Sequence, residues 1–392
     1  MQVIPPTFRS CFISAGEPSG DLLAADLVRA FHFRERGIQF EGLAGHLMQQ
    51  AGVRVLWPLE KLSAMGLIDV LKQAPRLRIL ERNILARIDR NPPDLAILVD
   101  YPGFHFRLAE QLKLRKIPVI QYVAPKVWAW GASRVSRLKR DFELVLGILP
   151  FEKDFFIRHQ VPWHYVGCPH LARIESVRRS RRELALPESG RLIACLPGSR
   201  MTEVRRILPV LARLRRRFHA LADDITFAVP VAGNLPFQQV LQLLPQEERE
   251  GMCFVRGESL ALMKLADLAI VASGTATLEC ALAGTPMLVV YLMDALSYRL
   301  ARRKVRIQWV SLVNLCLGRE AVPEYIQEID EVRMVEHMQN LLAPGPVREK
   351  QLNSFRELRL LLGSQPGADE AAKLILRHMS DHKNQGATGE QF

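Results

Sequence analysis

The sequence predicts an α/β fold with two doubly wound parallel sheets, and three observations lead to this prediction. From residue 9 onward, short apolar runs alternate with longer stretches of helical period, which is the pattern of parallel β-α-β units. The alternation forms two series separated by a charged stretch at 173–190. The chain has 392 residues, which is more than the size at which one hydrophobic core normally stops growing. We therefore expect two Rossmann-like domains facing a cleft.

The first series contains one clear helix and several strands. The helix is predicted at 21–36, with Asp21 as its N-cap. Leu23, Leu27 and Phe31 recur on one face of this helix. The predicted strands are Cys11–Ser14, Leu95–Val99, Pro118–Val123 and Leu144–Leu149.

The second series begins after the charged stretch, which ends near Pro187 and Gly190 and is interpreted as a linker. Its predicted strands are Leu192–Leu196, Ile225–Val229, Met252–Val255, Leu268–Ala272 and Met287–Tyr291. The predicted organisation is an N-terminal domain at 1–172, a linker at 173–190, a C-terminal domain at 191–345, C-terminal helices at 346–380 that can return to the N-terminal domain, and a flexible tail at 381–392.

The charge balance favours phosphate-bearing partners. The chain carries 53 Lys and Arg residues against 41 Asp and Glu residues, which gives a net charge of +12. Local groups of basic residues suit nucleic acid, anionic lipid headgroups or phosphorylated substrates. A solvated helix face is the alternative for each group. The groups lie at 134–140, 178–182, 213–217 and 302–306.

The cysteine and hydropathy patterns predict a cytoplasmic protein with, at most, peripheral membrane contact. The six cysteines lie far apart and form no C-x-x-C pair, as expected for reduced core residues. The apolar run around Phe12 is too short for the core of a signal peptide. No stretch approaches the roughly 18 to 20 apolar residues that are needed to cross a bilayer.

Ser273–Glu279 follows a predicted strand and opens a helix, which is a favourable place for a phosphate. Gly274 lets the backbone approach the ligand, and the helix N-terminus offers free N–H groups beside the hydroxyls of Ser273 and Thr275. Glu279 can accept hydrogen bonds from ribose hydroxyls. An ordinary capped helix is the alternative.

Pro197–Arg200 is a second loop of this kind and follows the first strand of its half. Arg200 offers a permanently charged, bidentate contact to a diphosphate. The alternative is a surface turn with a solvent-facing arginine. Two such loops on one sheet favour nucleotide binding.

Carboxylates follow two strands of the first series. Gly16–Asp21 lacks both the Walker and the dinucleotide-binding glycine patterns, so neither an NTPase nor an NAD enzyme is supported. In this loop Glu17 and Asp21 can orient sugar hydroxyls, although Asp21 can also simply cap its helix. Asp100 ends the strand at 95–99 and is a candidate general base. A turn-forming aspartate before Pro-Gly is the alternative.

A basic and apolar segment at 65–82 has the pattern of an interfacial membrane helix. Its membrane-facing residues are predicted to be Met65, Leu67, Ile68 and Leu71, with Arg76 among the flanking cations. An amphipathic core helix fits the same pattern.

No metal site is predicted, because the sequence contains no Asp-x-Asp pair and no Cys/His cluster with zinc spacing.

In their order along the chain, these motifs resemble the lipid-A-disaccharide synthase family, which consists of GT-B-fold glycosyltransferases of lipid A and lipopolysaccharide biosynthesis in Gram-negative bacteria. The resemblance covers roughly residues 9–360. Its landmarks are Ala15–Asp21, Met65–Gly66, Val99–Phe104, Tyr122–Pro125, Trp128–Trp130, Leu149–Glu152, Leu196–Arg200, Ser273–Glu279, Asn314 and Gly318–Glu320.

The resemblance implies an inverting transfer from UDP-2,3-diacylglucosamine to 2,3-diacylglucosamine 1-phosphate. The product is a β-1,6-linked disaccharide 1-phosphate, and UDP is released. The resemblance further implies no metal or organic cofactor, no nucleic acid partner, and a location at the cytoplasmic surface of the inner membrane. On this basis the predicted catalytic residues are Asp100 and Glu17. The predicted substrate-binding residues are Ser19, Asp21, Arg200, Ser273, Gly274, Thr275, Thr277, Glu279, Asn314 and Arg319.

Three positions depart from the usual residues of that family. Cys168 stands where a histidine is usual, His105 where an asparagine is usual, and Val313 where a proline is usual. Two other functions stay open at this point: another UDP-sugar enzyme of the same fold, such as a 2-epimerase, or a non-catalytic protein that binds nucleotides or anionic lipids. The sequence leaves the acyl-chain specificity open, and a homodimer is an open possibility.

Overall fold

The computed structural model describes residues 7–59, 70–129, 132–219, 224–294, 298–299, 308–365 and 367–388. The chain divides into two compact units. Unit 1 comprises Met1–Pro169 and Gly363–Phe392, and unit 2 comprises His170–Leu362. Each unit is built on its own parallel sheet.

The strands of unit 1 are β1 (Ser10–Ala15), β2 (Gln39–Ala44), β3 (Arg54–Pro58), β4 (Leu95–Val99), β5 (Val119–Tyr122), β6 (Leu144–Gly147) and β7 (Trp163–Tyr165). They form a parallel sheet in the order β3-β2-β1-β4-β5-β6-β7. β4 is buried along its whole length, so its continuous apolar sequence fits a strand covered on both faces.

The helices of unit 1 before residue 169 are α1 (Pro18–Arg34), α2 (His46–Gln50), α3 (Val70–Arg90), α4 (Pro102–Leu114), α5 (Val135–Asp141) and α6 (Lys153–Arg158). α1 begins three residues earlier than predicted, because Pro18 occupies its first turn and Glu17 is its N-cap residue. A proline is well tolerated there, since its missing N–H would have no partner in the helix.

The strands of unit 2 are β8 (Arg191–Leu196), β9 (Ile225–Val231), β10 (Met252–Arg256), β11 (Leu268–Ala272), β12 (Met287–Tyr291) and β13 (Glu324–Ile326). They form a parallel sheet in the order β10-β9-β8-β11-β12-β13. The helices around them are α7 (Pro169–Ser176), α8 (Met201–His219), α9 (Phe237–Leu241), α10 (Gln246–Arg249), α11 (Ser259–Leu265), α12 (Thr275–Ala283), α13 (Leu312–Leu317), α14 (Glu331–Leu342) and α15 (Pro346–Leu362).

The C-terminal helices are divided between the units. α15 stays in unit 2, where the side-chain amide of Gln351 hydrogen-bonds both the N–H and the C=O of Met287. The last helix, α16 (Ala368–Thr388), belongs to unit 1 and packs against α1. Arg34 on α1 forms an ion pair with Asp369 on α16 at 2.6 Å.

The predicted linker at 173–190 lies inside unit 2. Arg181 donates to the carbonyl of Gly190 at 2.7 Å and pairs with Asp267 at 3.3 Å. Leu184 is buried. The charge of this stretch therefore reflects a solvated surface with ion pairs, and the chain changes unit at Pro169 instead.

The α/β fold class with two parallel sheets is confirmed, and each predicted strand coincides with an observed one. The sequence prediction omitted β2, β3, β7 and β13. β7 and β13 are edge strands of three residues, too short to show a pattern. β3 is an edge strand that is at most partly buried, so it does not form an apolar run. β2 was missed because Gly42 interrupts it. All six cysteines are free thiols.

No helix among the described residues is long and apolar enough to cross a membrane.

Candidate active site

Each sheet has a switch point, where the chain order of the strands reverses. In unit 1 it lies between β1 and β4, and in unit 2 between β8 and β11. Ligands of doubly wound sheets bind outside the carboxyl ends of the strands at such points. Glu17 and Asp100 follow β1 and β4, and the loops of Arg200 and Ser273 follow β8 and β11. These four predicted residues thus lie at the switch points of their units.

Asp100 has a left-handed backbone conformation, with a φ of 52°, and so does Tyr101, with a φ of 53°. This conformation costs roughly 1 to 2 kcal/mol for a residue with a Cβ atom. Hydrogen bonds hold it in place: the Asp100 N–H donates to the Tyr122 carbonyl at 3.0 Å, and the Asp100 carbonyl accepts from His105 Nδ1 at 2.6 Å. The β-strand therefore turns sharply at Asp100.

The loop after β1 touches the loop after β4. A Cβ atom on Gly16 would overlap the Tyr101 ring, so only glycine fits beneath this ring. Burial raises the pKa of Tyr101, and the nearby carboxylate of Glu17 raises it further. Glu17 and Asp100 are therefore on neighbouring loops. Ser19 lies exposed in the first turn of α1.

Asp21 has a different structural role from the one predicted. Its side chain is buried and accepts hydrogen bonds from the backbone N–H groups of Gly45 at 2.8 Å and Leu47 at 3.0 Å. These groups lie at the start of α2. Asp21 therefore satisfies the N-terminus of α2 and not that of its own helix, and both carboxylate oxygens are engaged within the protein.

Glu152 is a further candidate residue, which the sequence indicates only through the family landmark Leu149–Glu152. It lies in a short 3₁₀ helix, Pro150–Glu152, and is 2% exposed. Its Oε1 accepts from Trp128 Nε1 at 3.1 Å, whereas its buried Oε2 has no hydrogen-bond partner among the described residues.

The electrostatic surroundings of Glu152 favour its neutral form. Burial raises the pKa of Glu152 to about 8, the hydrogen bond from Trp128 and the charge of Lys126 act in the opposite direction, and the charge of Asp100 raises it further. Asp100 and Glu152 are therefore close enough to interact. No local sequence pattern distinguishes a glutamate of this kind from a surface one.

The N-terminus of α12 carries the first predicted phosphate loop. Gly274 is the N-cap residue, with a φ of 152°, and a helix start leaves its first N–H groups without intrahelical partners. The Thr275 hydroxyl makes no hydrogen bond to another described residue. The Ser273 hydroxyl, in contrast, donates to the Val310 carbonyl at 2.7 Å, so its proton is not available to a phosphate.

The structure also contradicts the predicted role of Thr277 in substrate binding. It is fully buried, and its hydroxyl donates to the Gly274 carbonyl at 2.8 Å and accepts from the Leu312 N–H at 3.2 Å. Thr277 therefore stabilises the loop and offers no surface to a substrate.

The second phosphate loop places Arg200 just before α8. Gly198 has a φ of 107°, and a Cβ atom there would overlap the Glu203 carboxylate. Arg200 pairs with Glu203 at 3.4 Å, and its side chain is 48% exposed. Tyr291, at the end of β12, is close enough for the charges of Glu203 and Arg200 to act on its pKa, which burial raises.

Glu279 is held by two residues that the sequence analysis did not assign to the site. His170 Nδ1 lies 3.1 Å from Glu279 Oε1, and an Arg173 guanidinium nitrogen lies 3.4 Å from the same oxygen. Burial acts to raise the pKa of Glu279, but the hydrogen bond from His170 and the charges of His170 and Arg173 outweigh it, so the pKa is lowered. Nothing in the sequence connects His170 with Glu279, which lies 109 positions away.

Asn314 and Arg319 make contacts within unit 2. Asn314 is fully buried: its amide donates to the Val322 carbonyl at 2.9 Å and to Glu324 at 2.8 Å, and its oxygen accepts from two backbone N–H groups. It is a structural residue and not a substrate contact. Arg319 hydrogen-bonds Ser354 at 3.0 Å and pairs with Glu357, both on α15.

The predicted membrane segment is only partly described. Met65, Leu67 and Ile68 lie outside the described residues, and so does the side chain of Leu71. Arg76, on α3, is exposed.

The apolar residues of the described part of α3 divide between core and surface. Leu77 and Leu80 pack against the core of unit 1. Ile79 is 58% exposed. The core interpretation therefore holds for Leu77 and Leu80 and not for Ile79.

Three arginines of the basic group at 213–217 are neutralised within the protein. Arg213 and Arg217 both pair with Glu331, at 2.6 and 2.7 Å, and Arg216 pairs with Glu248 at 3.2 Å. Among the described residues, no group of three or more His, Cys, Asp or Glu side chains is arranged to hold a metal ion.

Solved structures with the same fold include the glycotransferase of kitacinnamycin, with a TM-score of 0.64 and 15% identity over 95% of this chain and 99% of that chain. A UDP-GlcNAc 2-epimerase from Neisseria meningitidis has a TM-score of 0.64 and 12% identity over 94% of this chain and 98% of that chain. At these identities the likeness establishes the GT-B fold alone.

The similarities in sequence identify the family, which the similarities in fold do not. The family model for lipid-A-disaccharide synthetase matches residues 11–376. Lipid-A-disaccharide synthase from Myxococcus xanthus is 36% identical over 93% of this chain and 96% of its own length. The enzyme of the same name from Anaeromyxobacter sp. strain K is 38% identical over 91% of this chain and 94% of its own length. The chain therefore belongs to the lipid-A-disaccharide synthase family.

Proposed function

We propose that this chain transfers a diacylglucosaminyl group from UDP-2,3-diacylglucosamine to the 6-hydroxyl of 2,3-diacylglucosamine 1-phosphate. The products are the β-1,6-linked disaccharide 1-phosphate and UDP. Family membership and the chemistry of the two switch points support this proposal. The switch point of unit 1 carries the carboxylates of Glu17 and Asp100. The switch point of unit 2 carries the N–H groups at the start of α12 and the permanently charged Arg200.

On the donor side, Arg200 and the N-terminus of α12 bind the UDP diphosphate. The leaving group gains negative charge as the bond to the anomeric carbon breaks. Preorganised N–H dipoles and an arginine stabilise that charge without rearranging. Glu279, which His170 and Arg173 hold in its charged form, accepts hydrogen bonds from the ribose hydroxyls.

On the acceptor side, Asp100 removes the proton of the 6-hydroxyl as that oxygen attacks the anomeric carbon. Inversion in a single displacement requires a base beside the attacking oxygen. Glu17 is the competing base, because it lies on the adjacent loop. Burial favours the neutral form of Glu152, which lies close enough to Asp100 for the two carboxyl groups to interact.

Both substrates are acylated, so the protein works at the cytoplasmic surface of the inner membrane. The exposed residues of α3 include Arg76, Arg78, Arg82 and Ile79. Cations next to an apolar side chain suit an anionic lipid surface.

The test of the proposed function is incubation of the purified protein with both acylated glucosamine substrates, followed by mass spectrometry. We expect the disaccharide 1-phosphate and an equal amount of UDP. A parallel incubation with the UDP-sugar alone addresses the 2-epimerase alternative and should yield no epimer. Failure to form the disaccharide from the two authentic lipids would refute the proposal.

A further inference from the structure

His105 connects the candidate base to the interior of unit 1. It lies in the first turn of α4 and is completely buried. Its Nδ1 is 2.6 Å from the carbonyl oxygen of Asp100, and its Nε2 is 2.9 Å from the hydroxyl of Ser14 on β1. One imidazole ring thus bridges the two strands that flank the switch point.

The partners of His105 fix its tautomer. A carbonyl oxygen only accepts hydrogen bonds, so Nδ1 carries the proton. Burial lowers the pKa of His105 to about 4, although the hydrogen bond to Asp100 acts in the opposite direction. The ring is therefore neutral, and its Nε2 accepts a hydrogen bond from the Ser14 hydroxyl.

The hydrogen bond between His105 and the Asp100 carbonyl lies where the backbone has an unfavourable conformation. Asp100 and Tyr101 are both left-handed, and the carbonyl that His105 holds belongs to the peptide group between them. Turning this carbonyl away would rotate the peptide group and displace the Tyr101 ring from its place over Gly16. The His105 ring also packs edge-on against Tyr101, with centroids 5.8 Å apart.

We propose that His105 is a positioning residue, which holds the Asp100 carbonyl so that the left-handed turn presents the Asp100 carboxylate at the carboxyl edge of the sheet. Gln121 assists from β5, since its amide donates to the carbonyls of Tyr122 at 3.3 Å and Val123 at 3.1 Å and approaches that of Asp100 at 3.5 Å. Ser14 fixes the orientation of the ring. This inference rests on the proposed role of Asp100 as the base.

Two substitutions of His105 by amides of similar polarity distinguish a positioning role from the role of a residue that only fills the core. In His105→Asn the side-chain amide lies near the position of Nδ1, so the donor to Asp100 is kept and the contact with Ser14 is lost. In His105→Gln the amide reaches the position of Nε2, so the contact with Ser14 is kept and the donor to Asp100 is lost. Only the second variant should disturb the base.

We expect His105→Asn to retain kcat within about threefold. His105→Gln should lose roughly 10- to 100-fold in kcat with little change in KM, because small misplacements of reacting groups have effects of this size. In an Asp100→Asn background, His105→Gln should cause no further loss, since residues that act as a unit are not additive. Equal losses in both variants, or a normal kcat in His105→Gln, would overturn the proposal.

Crystal structures of the two variants provide a readout that does not depend on activity. The left-handed conformation of Asp100 should persist in His105→Asn and change in His105→Gln. An unchanged Asp100 in His105→Gln also overturns the proposal. If Asp100→Asn alone retains normal kcat, the base role fails and the catalytic part of the inference fails with it. A displaced Asp100 in His105→Gln would then still establish the structural contact.

Ser14→Ala replaces His105→Gln if the latter does not fold. Without the Ser14 hydroxyl, the ring can be protonated at Nε2, which would direct the Nδ1 lone pair at the Asp100 carbonyl. We expect a smaller reduction of kcat than in His105→Gln, again absent in the Asp100→Asn background. A reduction that persists in that background would contradict positioning through Asp100.

Discussion

At the scale of single residues, two largely buried carboxyl groups have opposite pKa shifts because their neighbours differ. Glu279 contacts His170 and Arg173, whose effects outweigh the effect of burial and lower its pKa. Glu152 has only a tryptophan N–H and a nearby lysine to oppose burial, and its pKa rises to about 8. The first group suits binding by a charged carboxylate, and the second is a neutral acid beside Asp100.

Glu152 should make the stability of the protein depend on pH. Between the ordinary glutamate pKa of 4.5 and the folded-state value of about 8, the folded protein keeps a proton that the unfolded chain releases. The free energy of unfolding therefore falls as the pH rises through this window. Glu152→Gln should flatten this dependence in urea unfolding at pH 5, 6.5 and 8. Glu110→Gln is the control, since the Glu110 side chain is only partly buried, with 41% exposed, and it should show the pH dependence of the wild type. An unaltered slope in Glu152→Gln would contradict the assignment.

Asp100→Asn should lower kcat by roughly 100- to 10,000-fold, which is the usual contribution of a positioned base. The amide keeps the size of the side chain and most of its hydrogen bonding, so UDP binding should change little. Steady-state rates and calorimetric titration with UDP measure the two effects. If Asp100→Asn keeps near-normal kcat while Glu17→Gln abolishes it, the base is Glu17.

Arg200→Ala should slow transfer by about 100- to 1000-fold, because one preorganised contact to the charge of the transition state is lost. It should also weaken UDP binding. Arg179→Ala is a matched control, since Arg179 is also 48% exposed and also pairs with a glutamate one turn away. Normal turnover and UDP affinity in Arg200→Ala would mean that the loop is only structural.

Sequence reasoning located the loops of the candidate site but did not distinguish side chains that face a ligand from those that face the backbone. Thr277 and Asn314 belong to the motifs, yet both are fully buried and hydrogen-bonded within unit 2. Conversely, His170 contacts Glu279 across 109 positions of sequence. Such contacts depend on tertiary packing, which no local pattern encodes.

At the scale of elements, α3 shows how one amphipathic pattern serves two environments. Ile84 and Ile88 are buried in its C-terminal half, whereas Ile79 remains exposed between arginines. The face of α3 that carries Ile79 is therefore the proposed lipid-facing part of the described helix.

Replacing Leu67, Ile68 and Leu71 together with serine should release the protein from anionic vesicles without unfolding it, because buried apolar area contributes to interfacial binding. Vesicle sedimentation and thermal unfolding measure the two properties. Leu114→Ser is the control, since Leu114 is an exposed apolar residue, 73% accessible, on another helix of unit 1. Unchanged sedimentation of the triple variant would place the membrane contact elsewhere.

At the scale of the whole molecule, the two-sheet organisation could be predicted because parallel strands buried on both faces are continuous apolar runs. The predicted end of the N-terminal domain at 172 lies close to the observed boundary at Pro169, but the predicted linker was wrong. Residues 173–190 have the composition of a linker but are tied to unit 2 through Arg181, and only α16 of the C-terminal helices belongs to unit 1. The long-range ion pair between Arg34 and Asp369 leaves no local signal in either segment.

The reaction proposed for this protein is an inverting transfer to the acceptor 6-hydroxyl, with Asp100 as the base. The most direct test is the NMR spectrum of the disaccharide formed from the two acylated substrates, which reports the anomeric configuration and the linked carbon. We expect a β-1,6 linkage from the wild type and its near absence with Asp100→Asn. An α-linked product, or release of UDP and free diacylglucosamine without transfer, would contradict the proposed reaction.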